Sequence, residues 1–207
     1  MEMPLLSTKL HIPPQRPKTV LRSRLIDRLN EGLRHKLTLV SAPAGFGKTT
    51  LISEWLSGCE RPTAWLSLDE NDADPARFLL YVCAALQSIE VNMEAGVLRS
   101  LRAPEPPVME AILTILLNQI TASPTPSMLV LDDYHAAQSK AIDQIISFLL
   151  AHLPPQLHLV IITRQQPAFS LARLRARGQL TELLAHDLRF TYKETDAFLG
   201  EAMGFRL

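Results

Sequence analysis

Disulfides, membrane spans and a charge excess are all missing from this 207-residue chain, and each absence removes a class of function. Two cysteines, Cys59 and Cys83, are too few for a disulfide framework, so they read as small hydrophobes in a reducing compartment. Lysine plus arginine and aspartate plus glutamate balance at 21 each, so global charge gives no reason to expect nucleic acid or a membrane surface as partner. No apolar run approaches the roughly 20 residues that a bilayer span needs. The greasiest stretch, residues 111–117, is closed by Asn118 and Gln119. The N-terminus lacks the basic-then-apolar layout of a signal peptide and is interrupted by prolines, so a cytoplasmic protein is expected. No internal repeat or low-complexity tract is visible. What remains is an ordinary globular composition, 47% hydrophobic and 20% charged, in a length that suits one α/β domain with part of a second.

Proline punctuates what is there. Pro4, Pro13, Pro14 and Pro17 predict an extended lead over residues 1–20 rather than a helix. Residues 22–34 then carry Leu25, Ile26, Leu29 and Leu33 at helical spacing, in a region crowded with Arg22, Arg24, Arg28 and Arg34. Apolar strands are expected at 37–40, 63–68, 128–131, 157–163 and 180–184. Helices are expected after residue 48, from the Asp74-Pro75 start, over 108–121 and over 139–152. Pro104-Glu105-Pro106-Pro107 reads as a hinge or loop. Strands that are apolar throughout, alternating with helices, argue for a parallel sheet covered on both faces.

The chemistry is carried by Ala42-Pro43-Ala44-Gly45-Phe46-Gly47-Lys48-Thr49. This is a phosphate-binding loop one residue short of G-x-x-x-x-G-K-[ST], with Ala42 at the first glycine. It lies between an expected strand and an expected helix, the arrangement that turns backbone N–H groups and a helix N-terminus toward phosphate oxygens. Ala44, Gly45, Phe46, Gly47, Lys48, Thr49 and Thr50 are the expected nucleotide contacts. Lys48 would reach the β- and γ-phosphates, and Thr49 would give a hydroxyl to Mg²⁺. The missing glycine is tolerable if position 42 does not require positive φ.

A second group lies downstream. Met128-Leu129-Val130-Leu131-Asp132-Asp133 is a buried-strand pattern ending in two carboxylates. Asp132 is placed to help hold Mg²⁺, and Asp133 to orient or deprotonate the attacking water. The strand ending at Ile162-Thr163 delivers Arg164 to the same carboxyl edge, where a guanidinium would read a γ-phosphate. His135 reads either as a structural histidine or as a phosphate sensor, and Asp69 either as a turn cap or as a site residue. The series Arg173, Arg175, Arg177 reads either as a solvated face or as a kinase-type lid. Phe190 and Tyr192 read as core residues.

Taken with Thr8-Lys9-Leu10, the early prolines, Val20-Leu21-Arg22-Ser23-Arg24-Leu25, Trp65-Leu66-Ser67-Leu68-Asp69-Glu70, Leu131-Asp132-Asp133-Tyr134-His135 and Leu188-Arg189-Phe190-Thr191, these motifs resemble the N-terminal region of the MalT-like, LuxR-type transcriptional regulators. Those carry a STAND-class P-loop ATPase. The resemblance covers essentially the whole chain. It implies a P-loop NTPase three-layer sandwich around a mostly parallel five-stranded sheet, ending in the start of a helical subdomain. The nucleotide-binding domain would occupy residues 1–190, with 1–34 as lead and first helix, and 191–207 would open the helical domain. It further implies ATP or ADP with Mg²⁺ as ligands, and a lead of about residues 10–28 near the adenine, with Arg24 as candidate contact. Slow hydrolysis would act as a switch on self-association, and DNA would be reached only through a C-terminal domain outside this chain. Two other readings stand beside this one: a P-loop small-molecule kinase, and a nucleotide-dependent interaction module with negligible turnover.

Overall fold

A computed structural model describes residues 4–15, 19–91 and 109–202. The expected hinge at 104–107 and Pro17 lie outside the described residues. Five strands form one sheet: β1 (Leu37–Ser41), β2 (Thr63–Ser67), β3 (Ser127–Asp132), β4 (Leu157–Thr163) and β5 (Leu180–Leu184). Their order is β2-β3-β4-β1-β5, and every pairing is parallel. The strand that precedes the phosphate loop is therefore separated from the acid-bearing β3 by β4.

Helices cover both faces of this sheet: α1 (Ser23–Gly32), α2 (Lys48–Ser57), α3 (Pro75–Gln87), α4 (Met109–Ala122), the single turn α5 (Tyr134–Ala137), α6 (Lys140–His152), α7 (Ala172–Ala176) and α8 (Tyr192–Ala197). Strands β1, β3 and β4 are buried along their whole length, which is why they lack an alternating pattern. Leu37, Leu39, Leu129, Leu131, Leu159 and Ile161 join the core beneath α3, α4 and α6. Val40, Val130, Val160 and Ile162 join the opposite core with Leu25, Leu29, Ile52 and Trp55 from α1 and α2. Asp74 caps α3 by accepting from the Arg77 N–H at 2.8 Å, with Pro75 at the first helical position.

Two expectations are corrected by packing. The lead is not wholly extended, because Ser7–Leu10 forms a 3-10 turn docked against the β2–α3 connection. Lys9 is buried there in an ion pair with Asp72, lies 2.7 Å from Asp69, and sits over the Tyr81 ring. Burial pulls the Lys9 ammonium toward neutrality, but its hydrogen bonds to Asp69 and Asp72 outweigh that and raise its pKa. Asp69 is thus a cap and ion-pair partner; its side chain also accepts from the Asn71 N–H at 2.8 Å. Phe190 and Tyr192, read as core, are 45% and 97% exposed.

Candidate functional site

All five strands run the same way, so the loop after β1, the acids ending β3 and the arginine after β4 share one edge of the sheet. The loop turns through Gly45 at φ 84° and Gly47 at φ 71°, the left-handed region that glycine enters without a Cβ penalty. Ala42 is not among the positive-φ residues and is buried in the core, its N–H donating to the Thr163 carbonyl at 3.3 Å. The departure from the consensus therefore falls where no glycine is needed. We expect Ala42→Gly to leave nucleotide affinity within about twofold of wild type while lowering stability by up to about 1 kcal/mol through added chain entropy. Parallel titrations and thermal melts check both.

The first intrahelical bond of α2 runs from the Leu51 N–H to the Gly47 carbonyl at 2.8 Å. The N–H groups of Lys48, Thr49 and Thr50 precede that ladder and stay free for a ligand. Lys48 is 7% exposed, and its ammonium donates to the Pro43 carbonyl at 3.0 Å. Burial lowers its pKa; Asp133 opposes that, Arg164 adds to it, and Asp132 opposes it less. The Thr49 hydroxyl lies 3.1 and 3.0 Å from the two carboxylate oxygens of Asp132. Burial, then repulsion from Asp133, pushes the Asp132 carboxyl up to about 6.

Asp133 adopts φ 52°, a conformation that aspartate enters more readily than most residues. Its N–H donates to Asp132 Oδ1 at 2.9 Å. The turn leaves the adjacent acids in different environments, Asp132 buried and Asp133 about half-exposed. His135 Nδ1 is buried with no hydrogen-bond partner and stands 3.8 Å from Asp133, beyond hydrogen-bond reach. Burial lowers its pKa against the pull of Asp133, with Arg164 and Lys48 adding to the burial effect, so the ring is held neutral. Arg164 is exposed at the end of β4, and its charge is felt at both Lys48 and His135.

A cavity of about 410 Å³ adjoins the loop, bounded by Gly45, Phe46, Gly47 and Thr50 on one side and by Thr19, Val20, Arg22, Leu188, Phe190 and Phe198 on the other. The arginine that lines it is Arg22. Its guanidinium donates to the Leu188 carbonyl at 2.6 Å and lies 5.0 Å from the Phe190 ring centre. Arg24, the expected contact, is not among the lining residues. It is paired with Glu194 at 3.0 Å and donates to the Asp187 and Arg189 carbonyls. Two residues apart on one helix end, Arg22 and Arg24 cannot share a face, and no local pattern distinguishes the one that faces inward. Phe190 is exposed at the cavity edge; its place in the Leu188-Arg189-Phe190-Thr191 run marked the family resemblance but not that position.

The arginine series, read either as a solvated face or as a lid, is exposed and lies away from a lid position. Arg175 pairs with Glu182 at 2.7 Å. Arg173 and Arg177 border a separate cavity with Lys36 and Gln179, which precede β1 and β5 at the far edge of the sheet. They are not beside the phosphate loop, which removes the feature that favoured a kinase.

The residues present fit a divalent cation bound with a nucleotide. A hydroxyl and a buried carboxylate with a raised pKa meet at the end of the loop. Among the described residues no group of three or more His, Cys, Asp or Glu could hold a metal alone, so the phosphates would complete the shell. Among the described residues no helix is long and apolar enough to cross a membrane.

No protein-family model matches the chain. It is 36% identical over 194 residues to the HTH-type transcriptional regulator MalT of Cronobacter sakazakii, covering 94% of this chain and 21% of that protein. Against MalT of Serratia proteamaculans it is 36% identical over 198 residues, and against MalT of Klebsiella pneumoniae 34% over 194, with the same coverages. The chain spans about a fifth of the length of these curated relatives. Among solved structures, a Walker-type ATPase of Pyrococcus abyssi superposes with a TM-score of 0.59 at 13% identity, covering 98% of this chain and 64% of that one. Cdc6p of Pyrobaculum aerophilum superposes with a TM-score of 0.50 at 14% identity, covering 83% and 46%. These likenesses establish the P-loop ATPase fold.

Proposed function

We propose, from the premise that this chain is a MalT-like P-loop domain, that it binds ATP and ADP with Mg²⁺ and serves as the nucleotide-dependent switch of a transcriptional regulator. The observation that carries this reading is the meeting of Thr49 with Asp132, 83 positions apart in sequence, at 3.0 and 3.1 Å. A strand-end acid that only solvated itself would gain nothing from burial against a loop threonine.

In this reading the N–H groups of residues 44–50 cradle the phosphates. Lys48 gives up the Pro43 carbonyl for the β- and γ-oxygens. Thr49 and Asp132 hold Mg²⁺, which when bound neutralises charge on the phosphates. Asp133 takes or orients the proton of the attacking water. Arg164 stabilises charge gathering on the γ-phosphate. The base lies in the cavity beside Arg22, Phe46 and Phe190. Arg22 and Arg24 both bond to residues 187–194, which gives the base pocket a direct mechanical tie to α8. We place the domain boundary near residue 190 for this reason. Nucleotide state would then set the position of α8 and of the helical domain it opens, and hence the self-association of the whole regulator.

Hydrolysis has its own test. Asp133→Asn should bind ATP within about threefold of wild type while releasing phosphate about 10²- to 10⁴-fold more slowly, the usual contribution of a positioned base. Unchanged turnover would remove Asp133 from the reaction. Negligible phosphate release by the wild type itself would instead favour a module that reports nucleotide identity without cleaving it, readable as a difference in oligomeric state between ATP and ADP.

A further inference from the structure

The second cavity, about 300 Å³, lies between α6 and α7 near the amino edge of the sheet, away from the phosphate loop. Its charge pattern is one-sided. Lys36, Arg173 and Arg177 border it, and among the described residues no carboxylate does. The arginines of this segment divide sharply. Arg175 is satisfied by two hydrogen bonds to Glu182, at 2.7 and 2.8 Å. Among the described residues neither the Arg173 nor the Arg177 guanidinium has an ion-pair or hydrogen-bond partner. Lys36 has one hydrogen bond, 3.2 Å to the Leu150 carbonyl. Lys36 feels both arginines: burial first, then Arg177 and Arg173, lower its pKa. Arg173 and Arg177 are exposed at the cavity rim while Lys36 is partly buried, so an anion entering the cavity would meet all three and relieve the repulsion felt at Lys36.

We propose that this cavity is a binding site for a small organic phosphate, distinct from the nucleotide site. Two guanidiniums from one short segment, Arg173 in α7 and Arg177 at its C-cap, face the cavity with Lys36 from just before β1, and three cationic groups suit the three terminal oxygens of a phosphate monoester, which carries nearly two negative charges at neutral pH. A lone carboxylate offers two oxygens and one charge. Ser147, Ser170 and Gln179 supply further hydrogen-bonding groups, while Leu150, Phe169 and Leu174 form an apolar wall for the organic portion. Phe169 also packs edge-on against Tyr134, ring centres 6.0 Å apart. Tyr134 follows Asp133 directly, so the wall of this cavity touches the segment that carries the acid pair.

Calorimetric titration of glycerol phosphate into the whole chain, with ADP and Mg²⁺ at saturation, tests the assignment. Saturable binding that weakens with added salt is expected in wild type and in Lys48→Ala. The double variant Arg173→Ala/Arg177→Ala should bind at least about 10-fold more weakly. Ser170→Glu, which sets a carboxylate at an exposed rim position, should abolish binding without touching either arginine. Glycerol should not bind, and inorganic phosphate should bind more weakly than the ester. The proposal is overturned if no ester binds, if binding is lost in Lys48→Ala but kept in the arginine variant, or if inorganic phosphate binds as tightly as the ester. Arginine-dependent binding of citrate or an oligoglutamate peptide with none of glycerol phosphate would also overturn it, and would identify a carboxylate or acidic-segment site.

Discussion

Replacing Lys48 with alanine should weaken binding of ATP with Mg²⁺ by at least about 100-fold without unfolding the domain. The ammonium is nearly buried and, among the described residues, bonded only to the Pro43 carbonyl, an arrangement that burial makes costly. A phosphate replaces that single neutral acceptor with charged ones, and charge-assisted hydrogen bonds contribute about 1.5–3 kcal/mol each. Losing two of them corresponds to at least two orders of magnitude in affinity. The ligand-free variant loses only a desolvated cation, so its melting temperature should equal or exceed that of wild type. Titration and thermal melting on one preparation separate lost binding from lost structure. Affinity within about threefold of wild type would mean that the loop is not the site.

Asp132→Asn should have opposite effects on stability and on function. The carboxyl stands at about 6 in the fold against 3.8 for the free side chain, chiefly through burial. For an acid with a raised pKa, the folded state holds the proton more tightly than the unfolded state. The cost of ionisation is therefore absent below about pH 3.8, grows as pH rises toward 6, and is full above it. At about 1.4 kcal/mol per pH unit, it is no more than about 3 kcal/mol. Asparagine keeps an acceptor for the Thr49 hydroxyl and removes the charge. The variant should therefore gain stability over wild type between pH 4 and 6, then hold a constant advantage of about 1–3 kcal/mol above pH 6. Working with the difference between the two proteins matters, because His158 titrates in the same window with the opposite sign. Burial lowers that ring to about 4, so its protonation on unfolding removes stability as pH falls. Functionally, Asp132→Asn should lose the Mg²⁺-dependent part of ATP affinity. Retained Mg²⁺ dependence would place the cation elsewhere.

How far these outcomes could be read from the sequence varies with the interaction concerned. The strands were legible because β1, β3 and β4 are buried on both faces and so appear as apolar runs between prolines and glycines. Asp74-Pro75 was legible because capping is local. The shared sheet edge followed from strand order, since a parallel sheet sends every strand end to one side. Lys9 was not legible: its burial depends on Asp69, Asp72 and Tyr81, some 60 to 70 positions away. Arg22 and Arg24 carry the same chemistry two residues apart, and only the tertiary position of residues 187–194 assigns them to cavity and ion pair. For Arg173 and Arg177 the sequence left a solvated face and a lid both open, because their distance from the loop is a property of α7's placement, which no local pattern encodes. Ala42 was the reverse case, a motif defect made harmless by its backbone conformation.

Calorimetric titration of ATP into the purified chain, with Mg²⁺ and then with the cation chelated, tests the central claim most directly. One saturable site per chain, weakened at least about 10-fold by chelation, is the result expected if Thr49, Asp132 and the loop form a single nucleotide site. No saturable binding, or binding indifferent to Mg²⁺, would contradict it.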